Sequence, residues 1–164
     1  MIAILLNDAS FEQDIRELLM AFYPGETFTH KEEEAGEAEL IVRGVRDGNS
    51  FSLDVTPVKK EAVHFALIYP DFSNRFETKN EIKQTLYRLL SVQTGRELPW
   101  GTLTGIRPTK IALTKLYDGW TDEQIETYMR ETYFTSKEKI DLSIDVAERE
   151  RRLLSTIDYE NGYS

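Results

Sequence analysis

The sequence predicts an α+β fold: a small, mostly antiparallel sheet with one covering helix, followed by a cluster of about four helices. Between Leu40 and Val55 apolar and polar residues alternate, as they do in half-buried strands. Asp47-Gly48 interrupts this alternation with a strong hairpin signal. Beyond residue 73 the apolar residues instead recur every three to four positions, which is typical of helices with one buried face. We therefore expect a sheet subdomain in residues 1–72 and a helical subdomain in residues 73–164.

The first elements are a strand and a helix. Ile2–Leu6 is a short apolar run with β-branched members, which indicates a buried strand. Ser10 and Gln13 form a capping-box pattern that predicts the start of a helix, and Pro24-Gly25 predicts its end. The apolar residues from Phe11 to Phe22 fall on one helical face, so this helix is the one expected to cover the sheet.

The rest of the sheet half reads as short strands. Glu26–His30 is a candidate for a short strand, whereas Lys31–Glu39 contains five glutamates and is expected to be a solvated turn or mobile loop. Two alternating segments follow on either side of Asp47-Gly48. The period-two pattern then continues through Val63, Phe65, Leu67 and Tyr69.

The second half contains four helical patterns. Asn74 or Thr78 can cap the first, which ends at Gly95. A shorter helix ends at Asp118-Gly119, and Thr121 with Gln124 predicts the start of the third. The expected inward-facing residues of the four helices are Ile82, Leu86, Leu89 and Leu90, then Ile111, Leu113, Leu116 and Tyr117, then Ile125, Tyr128 and Met129, and finally Ile140, Ile144, Ala147 and Leu154.

Composition excludes several classes of function. The net charge of −9 disfavours binding to nucleic acid, because no positive field would attract phosphates. The absence of cysteine excludes disulfides and thiolate metal sites. The longest apolar run, Ile2–Leu6, is too short to span a membrane, and no secretory signal is recognisable. His30 and His64 lie in separate strand-like segments, so each is expected to be a surface or packing residue rather than a metal ligand.

The segment from Leu98 to Lys110 is the most densely punctuated part of the chain. Trp100, Gly101, Gly105 and Pro108 indicate a defined backbone path between the two halves. Pro108 suits the first position of a helix. Arg107, Thr109 and Lys110 would then lie beside a helix start, where backbone amides and positive charge can bind an anion or carboxylate. The alternative is a purely structural turn in which Trp100 is a buried hydrophobic plug.

This same segment, LPWGTLTGIRPTK, carries a resemblance to a known family. It resembles the region before the catalytic barrel in HemZ-type coproporphyrinogen dehydrogenases, which are oxygen-independent coproporphyrinogen III oxidase-like members of the radical SAM superfamily. The likeness extends to the C-terminal DYENGYS. The resemblance implies a barrel after residue 164, with a cysteine loop that holds a [4Fe–4S] cluster. It also implies that the whole enzyme uses S-adenosylmethionine and acts in porphyrin and haem biosynthesis.

The resemblance implies an accessory region of a cytoplasmic enzyme that decarboxylates two propionates of coproporphyrinogen III. The chain alone is expected to hold no cofactor and to be inactive, because no catalytic constellation is visible in it. Its expected partner is its own C-terminal barrel, with a tetrapyrrole substrate as a second candidate for contact with Arg107 or Lys110. The alternative function is a non-enzymatic domain that binds a partner protein or a tetrapyrrole without transforming it.

Overall fold

Two compact units make up the chain. The computed structural model describes residues 1–59, 63–104 and 108–160, with side chains described as far as residue 156. The units are Met1–Leu98 and Pro99–Ser164. The boundary therefore falls 26 residues after the position expected from the sequence, because the first long helix of the second half packs with the sheet.

The first unit is built on a five-stranded sheet in the order β2-β1-β3-β4-β5. Its strands are β1 (Ile2–Leu6), β2 (Phe28–Thr29), β3 (Leu40–Asp47), β4 (Ser50–Pro57) and β5 (His64–Ile68). β1 runs parallel to both of its neighbours, while β3–β4 and β4–β5 are antiparallel. The longest ladder joins β3 to β4 through the hairpin that Asp47-Gly48 predicted. The predicted α+β class with a largely antiparallel sheet is confirmed.

Helix α1 (Glu12–Phe22) covers β1 and follows a short 3₁₀ turn at Ala9–Phe11. Asp8 caps this turn by accepting the backbone N–H of Ser10 at 3.0 Å, so Ser10 itself is not the cap. The inward residues Ile15, Leu18, Leu19 and Phe22 are fully buried, as the helical spacing predicted. The helix thus buries its apolar face between β1 and the helix that follows the sheet.

Helix α2 (Arg75–Thr94) also belongs to the first unit, hereafter called the sheet unit. Asn74 caps it by accepting the Glu77 N–H at 3.1 Å, and Gly95 ends it with a left-handed φ of 69°. Its buried face packs on α1, β4 and β5; the fully buried members are Ile82, Leu86 and Leu90. Two helices rather than one therefore cover this face of the sheet, because β4 and β5 extend beyond the area that α1 can shield.

A 3₁₀ helix at Glu32–Glu37 lies against the opposite face of the sheet. Ala35 and Ala38 are buried on Ala3 and Leu5 of β1, with Ile41 beside them. Residues three apart lie on the same side of a 3₁₀ helix, so two small alanines at that spacing allow close approach to the sheet. The expectation of a solvated loop at Lys31–Glu39 was wrong because it counted the glutamates and overlooked the alanines.

The second unit, hereafter called the helical unit, contains the helices α3 (Pro108–Tyr117), α4 (Asp122–Tyr133) and α5 (Lys137–Glu160). Thr121 and Gln124 form the predicted capping box at the start of α4. The three helices enclose one core, formed by Leu103, Ala112, Leu116, Ile125, Met129, Ile140, Ile144 and Ala147. Leu154, expected on the inward stripe of α5, is exposed. No described helix is both long enough and apolar enough to cross a membrane.

Replacing Phe51 by alanine tests the sheet–helix core. Phe51 is 1% exposed, and its ring packs edge-on against Phe11 with centroids 5.7 Å apart. We expect Phe51→Ala to lower the free energy of unfolding by about 3–5 kcal/mol. Phe76→Ala is the matched control, since Phe76 is 54% exposed, and should change it by no more than about 0.5 kcal/mol. Urea unfolding followed by circular dichroism measures both, and equal losses would contradict this account of the core.

Candidate functional site

A buried tyrosine, Tyr87, holds the backbone at the end of the first unit, just before residue 99. The Tyr87 hydroxyl accepts the N–H of Leu98 at 2.8 Å and lies 3.4 Å from its carbonyl oxygen. The Tyr87 ring packs on Phe22 at 5.4 Å between centroids. The Arg96 guanidinium donates to the carbonyl of Phe22. The last residues of the first unit therefore follow a defined path along its own helices.

Residues 99–103, here called the docked loop, lie against the junction between α4 and α5. The Thr102 N–H and hydroxyl both donate to the Tyr133 carbonyl, at 2.7 and 3.2 Å. In return, the Ser136 N–H donates to the carbonyl of Pro99 at 2.9 Å. Thr135 adds a bond from its hydroxyl to the Trp100 carbonyl at 3.2 Å. The helices leave the Tyr133 carbonyl at the end of α4 and the Ser136 amide just before α5 without helical partners, and the docked loop supplies a hydrogen-bond partner to each.

Gly101 permits this close approach. Its φ is +62°, in the left-handed region that favours glycine. A Cβ atom at this position would lie 1.9 Å from the carbonyl oxygen of Tyr133. That oxygen is the one that accepts both bonds from Thr102, so any larger residue would force the docked loop away from it. The close contact and the positive φ therefore favour glycine at position 101.

Trp100 is half-buried and packs against the core of the helical unit. The ammonium of Lys139 lies 5.6 Å from the centroid of its ring, within the range of a cation–π contact. The sequence led us to expect a mostly buried side chain. The structure leaves part of the ring accessible because the docked loop lies on the surface of the helices, with its backbone rather than this ring making the closest contacts.

The residues proposed to bind an anion are only partly described. Pro108 is the first residue of α3, as expected, and Thr109 is half-buried. Lys110 is exposed on the first turn of that helix. Gly105 and Arg107 lie outside the described residues. Of the two predicted cations, Lys110 is thus the one whose accessibility the structure describes.

An aromatic cluster next to the docked loop escaped the sequence analysis. The Lys115 ammonium lies 4.5 Å from the centroid of the Trp120 ring and 4.6 Å from that of Tyr128. Tyr128 packs edge-on against both Trp120 and Tyr133. An open cleft of about 670 Å³ adjoins Trp120 and Tyr128. Tyr133 links this cluster to the docked loop, because its carbonyl accepts the bonds from Thr102.

A cluster of polar side chains lies in the sheet unit, at the carboxyl end of β1. His30 Nε2 lies 2.9 Å from a carboxylate oxygen of Glu12, and the Arg43 guanidinium donates to both carboxylate oxygens of Glu32, at 2.9 and 3.2 Å. A cleft of about 230 Å³ opens between these pairs. An anionic ligand here would compete with Glu32 for Arg43. The approach of His30 to Arg43 arises from strand pairing, so no local sequence signal could have revealed it.

The described residues give no direct indication of catalysis. Within residues 1–59, 63–104 and 108–156 no three histidine or carboxylate side chains converge as they would around a metal ion. At the carboxyl end of β1, Arg43 is paired with Glu32, and the His30 ring contacts Glu12.

Replacing Gly101 by alanine tests the docked loop. We expect Gly101→Ala to destabilise the helical unit by more than about 3 kcal/mol, through left-handed strain and loss of the Thr102 bonds. Gly119→Ala is the control: Gly119 has a φ of +86° but no atom within 4 Å of its Cβ position, so it should cost only about 1–2 kcal/mol. Both tryptophans lie in the helical unit, so their fluorescence during urea unfolding reports on it. Equal losses in the two variants would contradict the close contact.

Alkaline pH should destabilise the helical unit through Tyr133. Burial and the neighbouring Tyr128 hydroxyl raise the pKa of Tyr133 above its ordinary value of about 10. The stability that this shift contributes is complete below that ordinary value and is lost as pH rises beyond it. We expect the urea midpoint to fall above about pH 10, and to fall less in Tyr133→Phe. Tyr117→Phe, at an exposed tyrosine of α3, should behave as the parent chain; an identical decline in all three would exclude Tyr133 as the cause.

Comparison with known proteins gives one informative match. The chain is 34% identical over 98 residues to the oxygen-independent coproporphyrinogen-III oxidase-like protein HemZ of Bacillus subtilis (strain 168). The matched part is 58% of this chain and 19% of HemZ, so the chain spans only about a fifth of that relative. No family model and no solved structure matches the chain. The resemblance predicted from LPWGTLTGIRPTK is confirmed: this chain is similar to part of a HemZ-type, oxygen-independent coproporphyrinogen III oxidase-like protein.

Proposed function

We propose that the chain is an accessory region of an oxygen-independent coproporphyrinogen III oxidase-like radical SAM protein of the cytoplasm. The observation that carries the proposal is the similarity to HemZ, which extends over more than half of the chain. In this role the chain supports the decarboxylation of coproporphyrinogen III, in porphyrin and haem biosynthesis, without supplying a catalytic group. Its partner is the catalytic barrel of the same protein.

The residues of this chain do not fit the cofactor that the proposal implies. A [4Fe–4S] cluster is held by cysteine thiolates, and the sequence contains no cysteine. In this proposal the cluster and S-adenosylmethionine are held by the barrel, and no chemical step is assigned to the residues described here. What this chain contributes is a folded surface.

The docked loop and the start of α3 are the surface that we propose for this contact. Lys110 is exposed there, and an ammonium group complements a carboxylate of the barrel or a substrate propionate. Arg107 is proposed as its companion because it is three residues away in sequence. The bonds from Thr102 to Tyr133 support this assignment, since they fix the docked loop on the helices of the same unit.

The aromatic cluster favours a second candidate function, a domain that binds a tetrapyrrole without transforming it. Clefts used for small molecules are commonly lined by aromatic side chains with a few polar groups. The 670 Å³ cleft beside Trp120 and Tyr128 has that character, with Gln124, Thr127 and the carboxylate of Glu123 in its lining. Lys115 lies over the same two rings and could meet a propionate.

A chimera with HemZ tests the accessory role. We replace the matched segment of Bacillus subtilis HemZ by this chain, and expect the chimera to convert coproporphyrinogen III within about tenfold of the rate of unmodified HemZ, a difference of about 1.4 kcal/mol in barrier. Lys110→Gln in the chimera should lower the rate. Lys137→Gln, at an exposed lysine of α5 that pairs with Glu126 and Asp141, should leave it unchanged.

Two outcomes would contradict the accessory role. A chimera that folds and holds its cluster, but turns over no substrate beside an active HemZ, would refute it. Binding of coproporphyrin III to the 164-residue chain alone can be measured by tryptophan fluorescence. If that binding is tight and the chimera is inactive, the tetrapyrrole-binding function is supported instead. Equal rates for the two lysine variants would remove the role of Lys110.

A further inference from the structure

One face of strand β5 carries a row of exposed apolar side chains. Val63, Phe65, Leu67 and Tyr69 are 59, 60, 47 and 66% exposed. Phe65 and Leu67 alternate with His64, Ala66 and Ile68 and so lie on one side of β5, and Val63 and Tyr69 flank the strand at the same spacing. The period-two pattern predicted from the sequence is present, and the residue that faces the helix-covered core is Ala66, which is paired with buried Leu53. The 3₁₀ helix on this side packs on β1 and leaves β5 uncovered.

The backbone of β5 is also exposed to pairing. β5 is the last strand in the sheet order, so among the described residues no strand pairs with its outer edge. Natural proteins usually protect such an edge with lysines, prolines or bulges. Residues 63–69 contain no charged residue and no proline. An apolar, unprotected edge strand is therefore suited to adding a strand from another molecule.

We propose that β5 pairs antiparallel with β5 of a second copy of this chain, about a two-fold axis at Ala66. The proposal does not depend on the proposed function. Antiparallel pairing about that axis places Phe65 opposite Leu67 of the other copy, and Val63 opposite its Tyr69. Each pair joins an aromatic with an aliphatic side chain, which is a favourable cross-strand combination. The pattern is thus self-complementary, as a two-fold interface requires.

Charge limits a second copy to an uncharged segment such as this one. Two chains of net charge −9 repel each other over most of their surfaces. The uncharged strand at residues 63–69 is a segment where they can meet without bringing like charges together. The charged neighbour on the same face is Asp54, opposite Phe65 in β4, and it has Arg43 as its own cross-strand neighbour in β3. Salt should therefore strengthen the association by screening the long-range repulsion.

The area available predicts a weak dimer. The four exposed side chains present roughly 400 Å² per copy, given the 150–250 Å² that one aromatic side chain can bury. Two copies then bury at most roughly 800 Å² of side-chain surface together with the paired backbone edges, because pairing at the edge leaves the outer surface of the face in solvent; this is below the about 1,200 Å² of a stable interface. A reversible dimer that forms at micromolar or higher concentration is the expected state.

Sedimentation of the 164-residue chain over a range of concentration tests this interface. We expect a monomer–dimer equilibrium whose Kd falls severalfold when salt is raised from 0.05 to 0.5 M. Leu67→Lys should raise the Kd at least tenfold. Leu153→Lys, at a leucine of α5 that is 60% exposed, is the matched control and should leave the Kd unchanged. Monomers at every concentration, or a dimer lost in Leu153→Lys and kept in Leu67→Lys, would overturn the proposal.

A cysteine variant tests the register without depending on a disruptive change. The chain has no cysteine, so Ala66→Cys introduces a single thiol on the proposed axis. Because Ala66 is half-buried on the helix side of β5, labelling with a small soluble thiol reagent first establishes that this thiol and that of the control react equally. Opposed residues of an antiparallel pair lie about 4.5–5.5 Å apart at Cα, within disulfide range. Mild oxidation should yield a covalent dimer at least tenfold faster than with Leu153→Cys. Equal rates for the two variants would exclude this arrangement of the strands.

Discussion

The helical unit depends on the bonds that the Tyr133 carbonyl accepts from Thr102. A helix ends with carbonyls that have no partner within the helix, and the next helix begins with amides in the same state. Residues 99–103 supply partners for both, since Pro99 in turn accepts the N–H of Ser136. The connection between α4 and α5 is therefore closed by a segment that precedes α3 in the chain. Gly101 makes this possible because it has no Cβ to strike the same carbonyl.

This arrangement gives a physical reason for the unusual composition of the LPWGTLTGIRPTK segment. The glycine provides the left-handed backbone, the threonine provides two donors, and the tryptophan rests on the helical core. Each of these residues has a structural role that requires no ligand. The similarity to HemZ and the exposure of Lys110 are the grounds for assigning the segment a role in docking as well. Structural constraint and proposed function thus fall on neighbouring residues.

Strand β5 shows how local pattern and tertiary environment can diverge. Alternation indicates that one side of a strand differs from the other, but it does not indicate which side the helices cover. Here the small residue Ala66 lies on the side of buried Leu53, and α2 packs there. The large apolar residues are left on the exposed side. Composition was similarly insufficient at Lys31–Glu39, where five glutamates suggested a solvated loop but Ala35 and Ala38 are buried against the sheet.

The sequence alone determined the fold class, most helix ends and the family resemblance. These depend on local signals: the capping box at Thr121, the glycine after α2, the proline that begins α3 and one distinctive motif. Only the tertiary structure decided that α2 packs with the sheet, that His30 and Arg43 approach one cleft, and that Lys115 lies over Trp120 and Tyr128. Such contacts depend on which faces meet and on strand order. Side chains far apart in sequence acquire neighbours only when the chain has folded.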